Sequence, residues 1–157
     1  MVLREQARSE IKRSLNCGPN DQCIFCGSGA TAAINKLIDI FNLRLPSELA
    51  ERYLSDASIR EGERPIVFIG PYEHHSNDLP WRESIADLVT IPLADSGQVD
   101  MAVPEQRLEQ YSHRSLLIGS FSEASNATGI KSDITAITVL LKHYGVLMFW
   151  DYAEAAP

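Results

Sequence analysis

Gly145-Val146-Leu147-Met148-Phe149-Trp150-Asp151 decides the fold of this chain. A glycine stops a helix, an unbroken apolar run follows, and a carboxylate ends it. Val146 to Trp150 reads as a strand buried on both faces, as a central strand of a parallel sheet should be. The residues before it complete the unit. Asp133 caps a helix whose stripe is Ile134, Ile137 and Leu141, and Gly145 closes it. A helix followed by an apolar strand is the repeat of a parallel sheet with covering helices.

The same alternation extends toward the N-terminus. Ser115 to Phe121 reads as a strand, Pro104 to Tyr111 as a helix, and Ala94 to Gln98 as a polar turn. Leu88 to Leu93 reads as a further strand. Pro65-Ile66-Val67-Phe68-Ile69-Gly70 is a buried strand bounded by turn residues. Asn77 or Asp78 can cap the next helix, where Pro80 is tolerated only in the first turn. Ala30, Ile34, Leu37, Ile38 and Phe41 recur at helical spacing and form one apolar stripe. Gln22 to Cys26 reads as a short strand before them, and Arg4 to Leu15 as a helix. Leu45 to Arg64 is the most polar stretch and reads as a long surface connection. No internal repeat, low-complexity tract or linker interrupts the pattern. The fold class is α/β, a mainly parallel sheet with helices on both faces.

The bulk numbers set the class of partner. The chain has 157 residues, enough for one domain with a real core. Hydrophobic content of 45% and charged content of 22% describe a globular protein. The net charge of -7, with no Lys/Arg block, argues against a nucleic-acid surface. Residues 1–16 are charged throughout, unlike a secretory signal, and no run approaches the ~18 apolar residues of a membrane helix. Cys17, Cys23 and Cys26 are an odd set, which favours reduced thiols and a cytoplasmic location. Cys23 and Cys26 have the spacing of half a metal or redox site, and with a histidine they would make a zinc site. Ile24 and Phe25 between them suit a buried strand better, where cysteine serves as a small apolar residue. His74 and His75 are adjacent and point opposite ways on an extended chain, a poor chelate. The reading therefore assigns no metal.

Segments at the ends of the apolar runs carry the chemistry, because ligands of α/β sheets bind at the carboxyl ends of the strands. Gly27-Ser28-Gly29-Ala30-Thr31 opens a helix. Small residues there let backbone N–H groups approach an anion, and the helix N-terminus adds partial positive charge. The ordinary alternative is a glycine-rich turn with a serine cap. No Gly-Lys-Ser/Thr follows, so it is not a P-loop. Glu73-His74-His75-Ser76-Asn77 follows the strand at Ile66. An imidazole can lie flat on a ring and move protons near neutral pH, or it can be a surface loop residue. Asn126, in Ser125-Asn126-Ala127-Thr128-Gly129, offers an amide donor or an Asn-containing turn. Asn126-Ala127-Thr128 also matches a glycosylation sequon. Asp151 is costly to bury at a strand end without a cationic partner. A protonated ring nitrogen is one such partner. A Mg²⁺ or phosphoryl-transfer role, or a cap on the next turn, are the others.

Taken in order, these segments resemble the pyridoxal-phosphate (PLP) site of class V aminotransferases and cysteine desulfurases, from about Ile24 to Pro157. The resemblance implies an incomplete fold type I large domain spanning 1–157. Gly29, Ala30 and Thr31 would then hold the cofactor phosphate, and His74 would stack on the ring and transfer protons. Asn126 would reach the phenolic oxygen, Asp151 would pair with the ring nitrogen, and Glu154 would complete the cofactor-binding set. Glu154 stands where desulfurases usually carry Gln, and a carboxylate there repels the phenolate unless protonated. In the family the Schiff-base lysine lies on a Ser/Thr-x-His-Lys loop beyond the Asp strand. Lys12, Lys36, Lys131 and Lys142 are not in that context. The N-terminal segment, the lysine region and the small C-terminal domain are expected to be absent from this chain. The implied function is the PLP-binding portion of an enzyme acting on an amino acid, inactive alone, with PLP held weakly or non-covalently and a homodimer possible in assembly. A non-catalytic binding or scaffold domain that kept the phosphate turn is the alternative. In the family fold the strand at Gln22 to Cys26 pairs beside the large domain's last strand, so it is expected to be poorly anchored here.

Overall fold

In the computed structural model, residues 2–45, 48, 52 and 59–155 are described. Strands β1 (Ile66–Ile69), β2 (Asp87–Thr90), β3 (Leu117–Ser122) and β4 (Leu147–Asp151) form one sheet in the order β2-β1-β3-β4. Every neighbouring pair is parallel. Helices α1 (Val2–Ser14), α2 (Gly29–Ile40), α3 (His75–Arg82), α4 (Ala102–Tyr111) and α5 (Ile134–His143) accompany it. A 3-10 turn covers Glu61–Glu63. The α/β class with helices on both faces holds.

Side-chain alternation divides the sheet between two cores. On one face Ile66 and Phe68 of β1 and Leu117 and Phe121 of β3 pack with Leu108 of α4 and Ile137 and Leu141 of α5. On the other, Val67, Ile69 and Ile118 pack with Ile34 and Ile38 of α2 and Trp81 of α3. A Cβ at Gly119 of β3 would come within 2.6 Å of the Met148 sulfur on β4, so a side chain there would make Met148 shift. At the amino edge of the sheet the buried Arg114 donates to the Arg64 carbonyl at 2.9 Å and to Asp87 at 3.2 Å. The order 2-1-3-4 reverses direction between β1 and β3, which makes the crevice beyond their carboxyl ends the place for a ligand.

Several sequence expectations change. Gln22 to Cys26 is not a strand; the segment is irregular, with Ile24 66% and Phe25 38% exposed. Among the described residues no strand runs beside it, so its backbone groups have no ladder to join. The Phe25 ring is instead covered by the guanidinium groups of Arg4 and Arg8 at 5.8 and 5.6 Å. We expect the amides of Ile24 and Phe25 to exchange within the fastest class by NMR; strong protection would mean that the segment pairs with something. The β2 ladder ends at Thr90 rather than Leu93: the Ile91 N–H makes the last bond, to the Ile69 carbonyl, and β1 itself ends at Ile69. Leu93 makes an isolated antiparallel bridge with Val99 instead. β4 is an edge of this sheet rather than a central strand, and Leu147 is exposed. The polar connection at Leu45 to Arg64 lies largely outside the described residues. Among the described residues no helix is long and apolar enough to cross a membrane.

Candidate functional site

The site is assembled where β1, β3 and β4 end. A cleft of about 260 Å³ opens between the first turns of α2 and the sheet. Ala30, Ala33 and Ile34 form its helical wall, and Ser120, Phe149 and Asp151 its sheet wall, with Asn77 of α3 behind. The parallel register explains the grouping. Ser120 pairs with Phe149 and Ser122 with Asp151, so alternate side chains of both strands share the α2 face.

Asp151 closes β4 and is half-buried. Its Oδ1 accepts the Ala153 N–H at 2.9 Å, an Asx turn that holds the carboxylate at the strand end. No donor among the described residues meets its Oδ2. Across the cleft α2 begins at Gly29, which has φ +70, after Ser28 in extended geometry. Ser28 makes no side-chain cap, so the first N–H groups of α2 are not satisfied by its hydroxyl. A Cβ at Gly27, where φ is +50, would collide with Ala32. The cleft thus has a helix N-terminus at one end and a carboxylate at the other. That donor set suits a ligand carrying an anion and a cationic group.

Of the residues singled out from sequence, the structure brings Ala30 and Asp151 to one cleft. Gly29 and Thr31 are exposed beside Ala30, and neither lines it. His74 is exposed and is itself the N-cap of α3, accepting the Ser76 N–H at Nδ1 over 3.2 Å. The helix therefore starts before Asn77 and Asp78, the expected caps. Pro80 accordingly falls beyond the first turn, buried, two residues before the helix ends. Asn126 is exposed on the turn after β3, where Ser125 takes the Ala127 and Thr128 N–H groups. Glu154 is exposed on the turn after β4. The cysteines are free thiols. No group of three or more His, Cys, Asp or Glu among the described residues could hold a metal ion.

The polar centre of the site is a residue that sequence reasoning passed over. The Glu73 carboxylate lies between the ends of β1 and β3. Its Oε1 accepts the N–H groups of Gly70 at 3.1 Å and Ser122 at 3.0 Å. Its Oε2 accepts from Ser122 Oγ and from Asn77 Nδ2, each at 2.6 Å. Burial pushes the carboxyl above the ordinary 4.5 of a glutamate, and these hydrogen bonds only partly oppose it. A Cβ on Gly70 would overlap the carboxylate, so a side chain there would displace Glu73 from this position. Asn77 in turn accepts from Ser120 Oγ at 2.5 Å and from Trp81 Nε1 at 3.4 Å. A sequence signal existed in the spacing of Glu73 and Asn77, one helical turn apart across a helix start.

A family model described as aminotransferase class-V matches residues 1–157. A probable cysteine desulfurase of Halalkalibacterium halodurans is 27% identical, over 98% of this chain and 34% of that protein. The cysteine desulfurase SufS of Plasmodium vivax is 31% identical, over 96% of this chain and 25% of that protein. The crystal structure of the cysteine desulfurase CsdA from Escherichia coli superposes with a TM-score of 0.70 at 21% identity, over 96% of this chain and 34% of that one. The chain spans between a quarter and about a third of the length of these relatives.

Proposed function

The chain belongs to the aminotransferase class-V family, and on that premise we propose that it supplies part of a PLP site in a cysteine desulfurase-like protein acting on an amino acid. The observation that carries this reading is the cleft with the start of α2 at one end and Asp151 at the other. Residues 1–157 would form part of the cofactor-binding large domain.

The residues fit the cofactor's charges. Ala30 and the neighbouring N–H groups of α2, with Thr31, would take the phosphate, as helix N-termini do. Asp151 would hold a proton on the ring nitrogen, its free Oδ2 being the acceptor. His74 would cover the ring, and Asn126 would donate to the phenolic oxygen from the turn after β3. When bound, PLP supplies an electron sink for carbanions formed on an amino acid. Lys12, Lys36, Lys131 and Lys142 do not line the cleft. This chain alone would therefore bind the cofactor reversibly and not turn over.

Titration calorimetry with pyridoxamine phosphate tests the assignment. Asp151→Ala removes the counter-charge to the ring and should weaken binding about tenfold or more, the scale of a charged hydrogen bond. Glu154→Gln removes a repulsive carboxylate and should leave binding unchanged or tighter. Equal losses would sink the two roles. Absence of binding by the wild-type chain would favour a scaffold domain that kept only the fold.

A further inference from the structure

Ser120 lies deep in the sheet wall of the cleft. It is 3% exposed, yet it lines the opening. Its hydroxyl proton is committed to Asn77 Oδ1 at 2.5 Å. No donor among the described residues meets its lone pairs in return. A buried hydroxyl that gives a hydrogen bond and receives none has acceptor capacity to spare.

The direction of that bond is imposed from behind. The Asn77 amide could face either way, but its neighbours decide. Trp81 Nε1 can only donate, so the atom that it meets is Oδ1. An ionised Glu73 can only accept, so the atom on its side is Nδ2. Asn77 is 1% exposed. The amide is thus locked, and Ser120 must donate inward to it. What remains to Ser120 on the cleft side is an acceptor.

The acceptor stands next to another. Ser120 and Asp151 occupy one face of adjacent parallel strands, with Asp151 one pleat repeat, about 6.6 Å, further along. Phe149 and Ile34 make the remaining nearby wall apolar. A flat ring entering between α2 and the sheet would meet an apolar surface marked by two acceptors on one side.

From this geometry we propose that Ser120 is a specificity-determining residue of the cleft. It accepts a hydrogen bond from a ring hydroxyl, whose oxygen can still accept from Asn126 while Asp151 holds the ring nitrogen's proton, and the Glu73–Asn77 pair sets it in that role. Glu73 and Asn77 act through Ser120 as positioning residues. The proposal rests on the PLP reading of the same cleft and adds a selectivity that the reading does not contain.

The test compares two probes by calorimetry on the full chain. Pyridoxamine phosphate carries a ring nitrogen and a ring hydroxyl; benzyl phosphate has a similar ring and phosphate but neither group. Ser120→Ala should weaken pyridoxamine phosphate roughly five- to tenfold, the scale of one hydrogen bond in a site shielded from water. It should leave benzyl phosphate within about twofold. Ser120→Thr keeps the hydroxyl and should restore the preference; it also serves if the alanine variant folds poorly by circular dichroism. Glu73→Gln should lower the same preference without touching the probe. Equal losses for both probes in Ser120→Ala, or none, would overturn the role of Ser120 while leaving the PLP reading intact. A wild-type chain that binds benzyl phosphate as tightly as pyridoxamine phosphate would overturn the selectivity, and one that binds neither would overturn both readings.

Discussion

Glu73→Ala is expected to lower the unfolding free energy by about 3 kcal/mol, the cost of stripping a half-buried charged acceptor from its donors. The donors left behind are the N–H groups of Gly70 and Ser122, the Ser122 hydroxyl and the Asn77 amide. Two of them are backbone groups at the ends of β1 and β3. Urea unfolding should show a lower midpoint with an unchanged slope. Glu73→Gln should lose less, because its carbonyl can still serve Gly70 and Ser122 while its NH2 faces Asn77 donor to donor. A loss below about 1 kcal/mol for alanine would mean that water replaces the carboxylate freely.

The same carboxylate gives a pH dependence whose sign is fixed by its burial. Burial raises the Glu73 pKa above 4.5 in the folded chain. The folded state then holds this proton more tightly than the unfolded chain does, and stability falls as protons are released. Glu73's contribution is fully present below about 4.5 and declines as pH rises through the folded pKa. The stability difference between wild type and Glu73→Gln should therefore narrow with rising pH above 4.5. A difference that widens over that range would reverse the assignment.

The strands of this chain were legible because apolar runs bounded by glycine and proline leave few alternatives, as at Pro65 to Gly70 and Val146 to Trp150. Strand order was not. It depends on pairings such as Ile66 with Leu117, across about fifty residues of chain, and no local pattern encodes them. Gln22 to Cys26 failed for a related reason: its alternation suits a strand, but a strand exists only beside another. His74 was read as a ring-stacking residue, and the capping that it performs on α3 went unseen because histidine is not a usual cap. Glu73 was invisible as a centre for a different reason. A charged residue before two histidines looks like surface, and its partner Ser122 lies 49 positions away. Ser120 was hidden inside an apolar run, where serine reads as a small filler. The cleft-lining pair Ala30 and Asp151 was found because each stands at the end of an element, where sequence punctuation is strongest.

Trp81→Ala is expected to cost about 3–5 kcal/mol, as for large aromatic truncations in cores. Trp81 is fully buried in the cluster with Ile38, Val67, Ile69 and Ile118. It is the main side chain of α3 in that core, and α3 is what α2 leans on beside the sheet. The buried side chains of α2 are only Ile34 and Ile38. Emptying the Trp81 site therefore removes packing from the helix whose first turn walls the cleft. Protection of the α2 amides against hydrogen exchange should fall more than that of β1 or β3. Trp81→Phe separates packing from polarity. It keeps most of the ring volume but loses the Nε1–H bond to Asn77. Its cost should be about 1–2 kcal/mol, with α2 protection close to wild type. The weakened hold on the Asn77 amide should appear instead as a shift of its side-chain NH2 resonances. If phenylalanine costs as much as alanine, the indole hydrogen bond outweighs the packing. If alanine costs under about 1.5 kcal/mol, α2 is held by the sheet without α3, and the cleft wall does not depend on Trp81.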